Sequence, residues 1–168
     1  MADLHDQLVE AGKRWLQRTH PIVISELATS GEEPDVIGWH QGLSTLIECK
    51  ASVSDFHADR KKMFRQFPQF GVGNYRWFLT LPGLIKVESL PDKWGLLEIT
   101  GSKFRTIRKA ELFDVIDHRH EKSILISTIR RIGASAPEGC SIKCYTIDTK
   151  NRATLGIEAE CQAEEVVA

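Results

Sequence analysis

Residues 33–65 read EPDVIGWHQGLSTLIECKASVSDFHADRKKMFR, and their pattern predicts a β-hairpin followed at once by a charged helix. Val36–Trp39 and Ser44–Lys50 are short apolar, β-prone runs separated by a few residues that include Gly42, the spacing of two antiparallel strands joined by a tight turn. With Gln41-Gly42 as the two-residue turn, His40 faces Leu43 and Asp35 falls opposite Glu48. Side chains alternate faces along a strand, so Lys50 shares the Glu48 face while Ile47 and Cys49 point the other way into apolar packing. A slip of one residue in the pairing would separate the two acids.

Two carboxylates a few ångströms apart repel each other, and burial sharpens the repulsion unless a cation lies between them. Oxygen donors from Asp35 and Glu48, with the backbone carbonyl of Cys49, suit Mg²⁺ or Mn²⁺, hard ions that keep several waters and bridge to phosphate. Lys50, beside such an ion, is placed to activate a water or to stabilise charge developing on a phosphate. The tripeptide Glu-x-Lys is common, and taken alone it reads as an edge acid with a snorkelling lysine.

The context is less common. Pro34-Asp35, a hairpin-length gap, then Glu48-Cys49-Lys50 at the end of an Ile/Leu strand resemble the PD-(D/E)xK nuclease superfamily. Downstream, Ser52–Phe56 and Ala58-Asp59-Arg60-Lys61-Lys62 with Arg65 are similar to the MmcB-type DNA-repair group within it, and the likeness covers about residues 22–82. The resemblance implies an α/β, restriction-endonuclease-like fold, a mixed β-sheet flanked by helices. It also implies metal-dependent hydrolysis of DNA phosphodiesters, with Asp35 and Glu48 as ligands and Lys50 beside the reacting water. Glu26, which shares a face with Ile22 and Ile24 in the strand-like run Ile22–Ala28, matches the acid that precedes Pro-Asp in the family and becomes a third acid near the metal.

Before that run, residues 3–19 carry Leu4, Leu8, Ala11 and Trp15 at helical spacing, with Asp3 as a cap. Glu10 lies off the stripe, a candidate metal-associated acid that reads more simply as a surface glutamate. After Lys50, Ser52-x-x-Asp55 forms a capping pair with Ser54 as an alternative cap, and the helix it opens sets Phe56, Met63, Phe64 and Phe67 along one side. Lys61, Lys62 and Arg65 fall opposite, and Arg60 turns toward the acids. Ser54, Arg60, Lys61, Lys62 and Arg65 are therefore the candidate nucleic-acid contacts, since phosphate contacts dominate such affinity. Asp55 and Asp59 offer the plainer alternative of an ordinary ion-paired face.

Further strands are expected at Tyr75–Leu81, Gly95–Thr100 and Lys103–Arg108, the last an edge strand. A short helical piece is expected at Leu112–Ile116 and a helix over Glu121–Ile132. His118 and His120 diverge on a helix and do not make a metal pair. Residues 133–139, GASAPEG, are the best linker, dividing a nuclease-like domain (1–135) from a C-terminal β-hairpin extension (136–168) built on Ser141–Asp148 and Ala153–Cys161.

At 168 residues and a net charge of −1, the chain can bury one good core, and any hold on nucleic acid must come from a local basic patch. No apolar run approaches a membrane span, the first residues are charged rather than signal-like, and the four cysteines lack a CxxC pair. The expectation is a cytoplasmic protein with reduced thiols; a zinc site at Cys140 and Cys144 is only weakly signalled. The partner is DNA, read by shape or non-specifically, and a homodimer would suit double-strand cleavage. Two other readings stay open: a nuclease-like fold that binds nucleic acid or a partner without turnover, and a structural phage or host-interaction protein.

Overall fold

Gln41 and Gly42 both take positive φ, 50° and 80°, the conformation that a type I′ turn requires at its two central positions. The flanking strands pair antiparallel with His40 opposite Leu43 and Val36 opposite Ile47, the expected register. The computed structural model describes residues 3–25, 31–132, 144–147 and 154–157, the last two stretches as backbone. Two compact units result, Met1–Glu121 and Lys122–Ala168.

The first unit is α/β. It opens on α1 (Leu4–Leu16), capped by Asp3 and Asp6 in a reciprocal capping box. Six strands follow: β1 (Ile22–Ser25), β2 (Val36–His40), β3 (Leu43–Lys50), β4 (Tyr75–Thr80), β5 (Gly95–Thr100) and β6 (Lys103–Arg108). They form one mixed sheet in chain order, with β3, β4 and β5 parallel to one another and the outer neighbours antiparallel. The crossover from β3 to β4 carries two short helices, α2 (Val53–Asp59) and α3 (Met63–Gln66), where the periodicity predicts one.

Leu8, Val9, Ala11 and Leu16 of α1 pack on Val36, Ile47, Cys49, Leu79, Leu97 and Ile99. That stripe is the apolar side of the hairpin, so the alternation along β3 turns Glu48 and Lys50 to the opposite face. There an aromatic row fills the space, with Phe56 edge-on to Phe78 at 5.1 Å and Phe78 stacked on Trp94 at 4.4 Å. Glycine at position 95 lets β5 come close to β4, for a β carbon there would stand 2.3 Å from the Trp77 indole.

Residues 112–116 are irregular rather than helical, and the Phe113 N–H is spent instead on the Asn74 carbonyl at 2.8 Å. Helix α4 (His118–Ile132) begins three residues earlier than expected and spans the boundary between the units. In the second unit, β7 (Cys144–Ile147) pairs antiparallel with β8 (Thr154–Ile157). Cys140 lies outside the described residues, as does the Cys144 side chain, and with them the zinc reading. Among the described residues no helix is long and apolar enough to cross a membrane.

Candidate active site

Extended by one residue, the β2/β3 register sets Asp35 against Glu48. The Asp35 carboxylate accepts the Cys49 N–H at 2.7 Å, and His5 of α1 stands 3.6 Å from its other oxygen. In an extended strand the N–H and C=O of one residue leave toward the same neighbour. The Cys49 carbonyl is therefore turned to the Asp35 side as well, opposite Pro34, which has no N–H to offer it. Two carboxylates and one backbone carbonyl thus converge where the hairpin ladder ends.

Lys50 lies on the Glu48 face, its ammonium 3.2 Å from Glu48 and 3.3 Å from Asp59. It is buried rather than snorkelling. Burial alone would lower the ammonium, but Glu48, Asp59, Asp55 and Asp35 outweigh it and hold the group above its ordinary range. Lys62, half-exposed, pairs with Asp59 at 2.9 Å and stands 3.7 Å from Glu48.

Two residues that are not among the candidate site residues read from sequence are central here. Asp59, for which an ordinary ion-paired face is one of two open readings, is buried and is held by Arg65 at 2.6 Å as well as by Lys50 and Lys62. Burial would raise its carboxyl, yet the charge and hydrogen bond of Arg65, with the two lysines, bring it down to about 2. Glu32 is also buried, accepting from Arg65 and from the Val72 N–H at 2.8 Å, while His120 bonds its backbone carbonyl at 2.8 Å. The spacing Asp59-x-x-Lys62 marks the local half of this network; Glu32 sits in a turn with no periodic signal.

Arg65 is the largest departure from expectation. Instead of facing solvent it is buried, binding Glu32, Asp59 and Glu48 and lying 4.5 Å above the Trp94 ring. Arg60, expected to reach the acids, is exposed and lines a cleft of about 360 Å³ with Arg65, Glu88 and Ser89. The exchange follows from the break in the helix. Its first half ends at Asp59, and the restart at Met63 rotates Arg65 inward and carries Met63 and Phe67 outward. Lys61 is exposed, as is Ser54, whose hydroxyl bonds that of Ser52, the actual cap of α2. Glu10 pairs with Lys13 on the surface, and Glu26 lies outside the described residues.

The carboxylates of Glu32, Asp35, Glu48 and Asp59, with Asp55 3.9 Å from Lys50, thus outnumber the cations Lys50, Lys62 and Arg65, which leaves negative charge in excess. The excess falls on Asp35. Burial first, and the facing Glu48 second, push its carboxyl up to about 6 against the pull of the Cys49 N–H, Lys50 and His5. One buried oxygen of Glu48 accepts no hydrogen bond, although the Arg65 guanidinium stands 3.2 Å from it. A facing acid pair in an environment with negative charge to spare, and a purely oxygen donor set, fit a hard divalent cation. Among the described residues no three Asp, Glu, His or Cys side chains gather to enclose an ion.

Asp35→Asn tests this charge balance. Because its value in the folded protein lies above that in the unfolded chain, ionising Asp35 opposes folding: the penalty is absent below about pH 4, grows toward pH 6 and is complete above it. The variant should therefore be more stable than the wild type at pH 7.5, by on the order of 2 kcal/mol, an advantage that disappears near pH 4. Urea midpoints across that range measure it. The same variant should bind Mn²⁺ at least about tenfold more weakly by calorimetry.

No protein-family model and no curated protein matches the chain. A solved structure of similar fold is that of the SPO1766 protein of unknown function from Silicibacter pomeroyi, 23% identical, with a TM-score of 0.62 over 84% of this chain and 97% of that one.

Proposed function

We infer that the chain is a divalent-metal-dependent nuclease that hydrolyses DNA phosphodiesters, of the PD-(D/E)xK kind and suited to repair. The observation that carries this reading is the meeting of Asp35 and Glu48 across the hairpin with the Lys50 ammonium 3.2 Å from Glu48. Asp35, Glu48 and the Cys49 carbonyl would hold Mg²⁺ or Mn²⁺, and Glu26 is proposed as a further acid beside them. When bound, the ion supplies Lewis acidity toward a phosphate oxygen and a more acidic water. Lys50 contributes a fixed positive charge inside a low-dielectric pocket, where a charge aimed at a developing negative centre is worth far more than in water. Asp59 and Arg65 keep that lysine in place. Lys62, the most exposed of the three cations, is the one whose contact with Glu48 a metal would most readily replace. Arg60 and Lys61 offer exposed charge to the DNA backbone.

A second reading, a nuclease-like fold that binds without turnover, draws on the same network: Lys50, Lys62 and Arg65 already crowd Glu48. Nicking of supercoiled plasmid in Mg²⁺, with EDTA as control, separates the two. Wild type should relax the plasmid and Glu48→Gln should slow it at least about a hundredfold. No nicking by the wild type, or a residual rate that neither EDTA nor Glu48→Gln changes, as a contaminant would give, would favour the second reading.

A further inference from the structure

Immediately after Lys62, three apolar side chains stand in solvent: Met63, Phe67 and Phe70 are 52%, 49% and 52% exposed. They form one patch. Met63 and Phe67 are one helical turn apart, joined by the Phe67 N–H to the Met63 carbonyl at 2.8 Å, and the Phe67 and Phe70 rings lie 6.3 Å apart at a tilt of 58°. The segment is anchored from beneath, since Arg65 points the other way into Glu32, Asp59 and Glu48. Arg76 adds a second anchor, donating to the Pro68 and Gly71 carbonyls at 2.8 and 2.9 Å. Two aromatic rings are thus displayed outward on a stretch whose inner side is fixed to the candidate site.

Their surroundings distinguish this patch from an ordinary apolar contact surface. Arg60, Lys61 and Lys62 precede it in sequence, the first two exposed and the third reaching Asp59 and Glu48. Phosphates follow positive charge, and every nucleobase has a face that stacks on an aromatic ring. A row of cations leading into exposed phenylalanines is therefore the chemistry that holds unpaired nucleic acid. A paired duplex keeps its base faces stacked inside and offers these rings nothing.

We propose that the patch of Phe67 and Phe70 receives unpaired bases of a DNA strand whose phosphates lie on Arg60 and Lys61, so that the favoured substrate contains single-stranded DNA beside the Glu48–Lys50 site. This rests on the nuclease reading for its outcome but not for its test, which is binding in EDTA, where no cleavage takes place.

Fluorescence anisotropy with a labelled mixed-sequence oligodeoxynucleotide, alone or annealed to its complement, supplies the measurement. The single strand should bind at least about tenfold more tightly than the duplex. Changing both Phe67 and Phe70 to alanine should weaken the single-strand complex by about fivefold to a hundredfold and leave duplex affinity unchanged. The tyrosine variants, which keep the ring, should bind like the wild type. Arg60→Gln with Lys61→Gln should weaken both complexes alike. Because both rings are half-exposed, the alanine variant should melt with the wild type. Equal single-strand affinity in wild type and alanine variant, the result expected if the patch docks a protein, would overturn the proposal, as would a preference for duplex; so would tyrosine variants no better than alanine, since stacking needs only the ring. No nicking by the wild type with this binding pattern intact would overturn the nuclease reading and leave the strand-binding inference standing; nicking that Glu48→Gln loses, with the binding pattern absent, would do the reverse.

Discussion

Arg65→Ala is expected to destabilise the protein by roughly 3–5 kcal/mol, the usual cost of removing one partner from a buried ion network, which is a large share of the stability a domain of this size has. Among the described residues the guanidinium alone touches Glu32, Glu48 and Asp59 together. Without it three carboxylates stay buried, Glu48 and Asp59 with Lys50 and Lys62 beside them and Glu32 without its ion pair, and the Trp94 ring loses the cation above it. Lysine is no substitute, since a single ammonium lacks the flat fork that reaches three acids at once. The loss should depend on pH. Asp59, held at about 2 in the folded protein, contributes stability that is fully present above its ordinary value of 3.8 and fades as pH falls through 2. The gap between wild type and variant should accordingly narrow in acid, and urea unfolding followed by tryptophan fluorescence at pH 7 and pH 3 measures it. A gap that stays constant would mean that Arg65 acts by packing alone.

Lys50→Met is expected to lower the rate of phosphodiester cleavage by about 10²–10⁴-fold, the range for loss of a positioned proton-transfer or charge-stabilising group, while Mn²⁺ still binds. Methionine is preferable to alanine as the probe. From sequence, Lys50→Ala should leave folding nearly intact, but the ammonium is buried between Glu48 and Asp59, and alanine would add a cavity to the lost ion pair. Methionine fills the volume, and Lys62 and Arg65 still neutralise the two acids, so the folded state should persist with a reduced midpoint. Unchanged cleavage in this variant would remove Lys50 from the chemistry and with it the proposed mechanism.

The hairpin was legible because two independent local signals agree on it. The Gln-Gly pair sets a turn that admits positive φ at both positions, and the alternation of apolar residues on either side allows one register. From that register the placement of Asp35, Glu48 and Lys50 follows by counting. The strands at Gly95–Thr100 and Lys103–Arg108 were readable to the residue for a similar reason, bounded as they are by glycines and turn residues. What could not be read is how charge is buried. Arg65 looks like any solvent-facing arginine because its partner Glu32 lies 33 positions earlier, and no local period reports a contact of that range. The same blindness applies to Asp59: i,i+3 spacing from a lysine is as common on a wet helix as in a core. The break between Asp59 and Met63 escaped notice because nothing in Arg60-Lys61-Lys62 forbids a continuous helix; the demand for Arg65 underneath the sheet decides it.

The sheet joins two hairpins by a parallel ladder, and that arrangement bears on the order in which the molecule assembles. The β2–β3 and β5–β6 pairs close over a few residues each, whereas β3 and β4 meet across about 30 positions, Thr45 to Tyr75, and contacts between residues far apart in the chain form more slowly than near ones. Glu48 and Lys50 thus ride on an early-forming hairpin, while Asp59 and Arg65 travel on the crossover that closes the ladder. Until that closure the acids remain hydrated and their geometry loose, so a nascent chain released before residue 80 would carry every one of these side chains and still have no assembled centre.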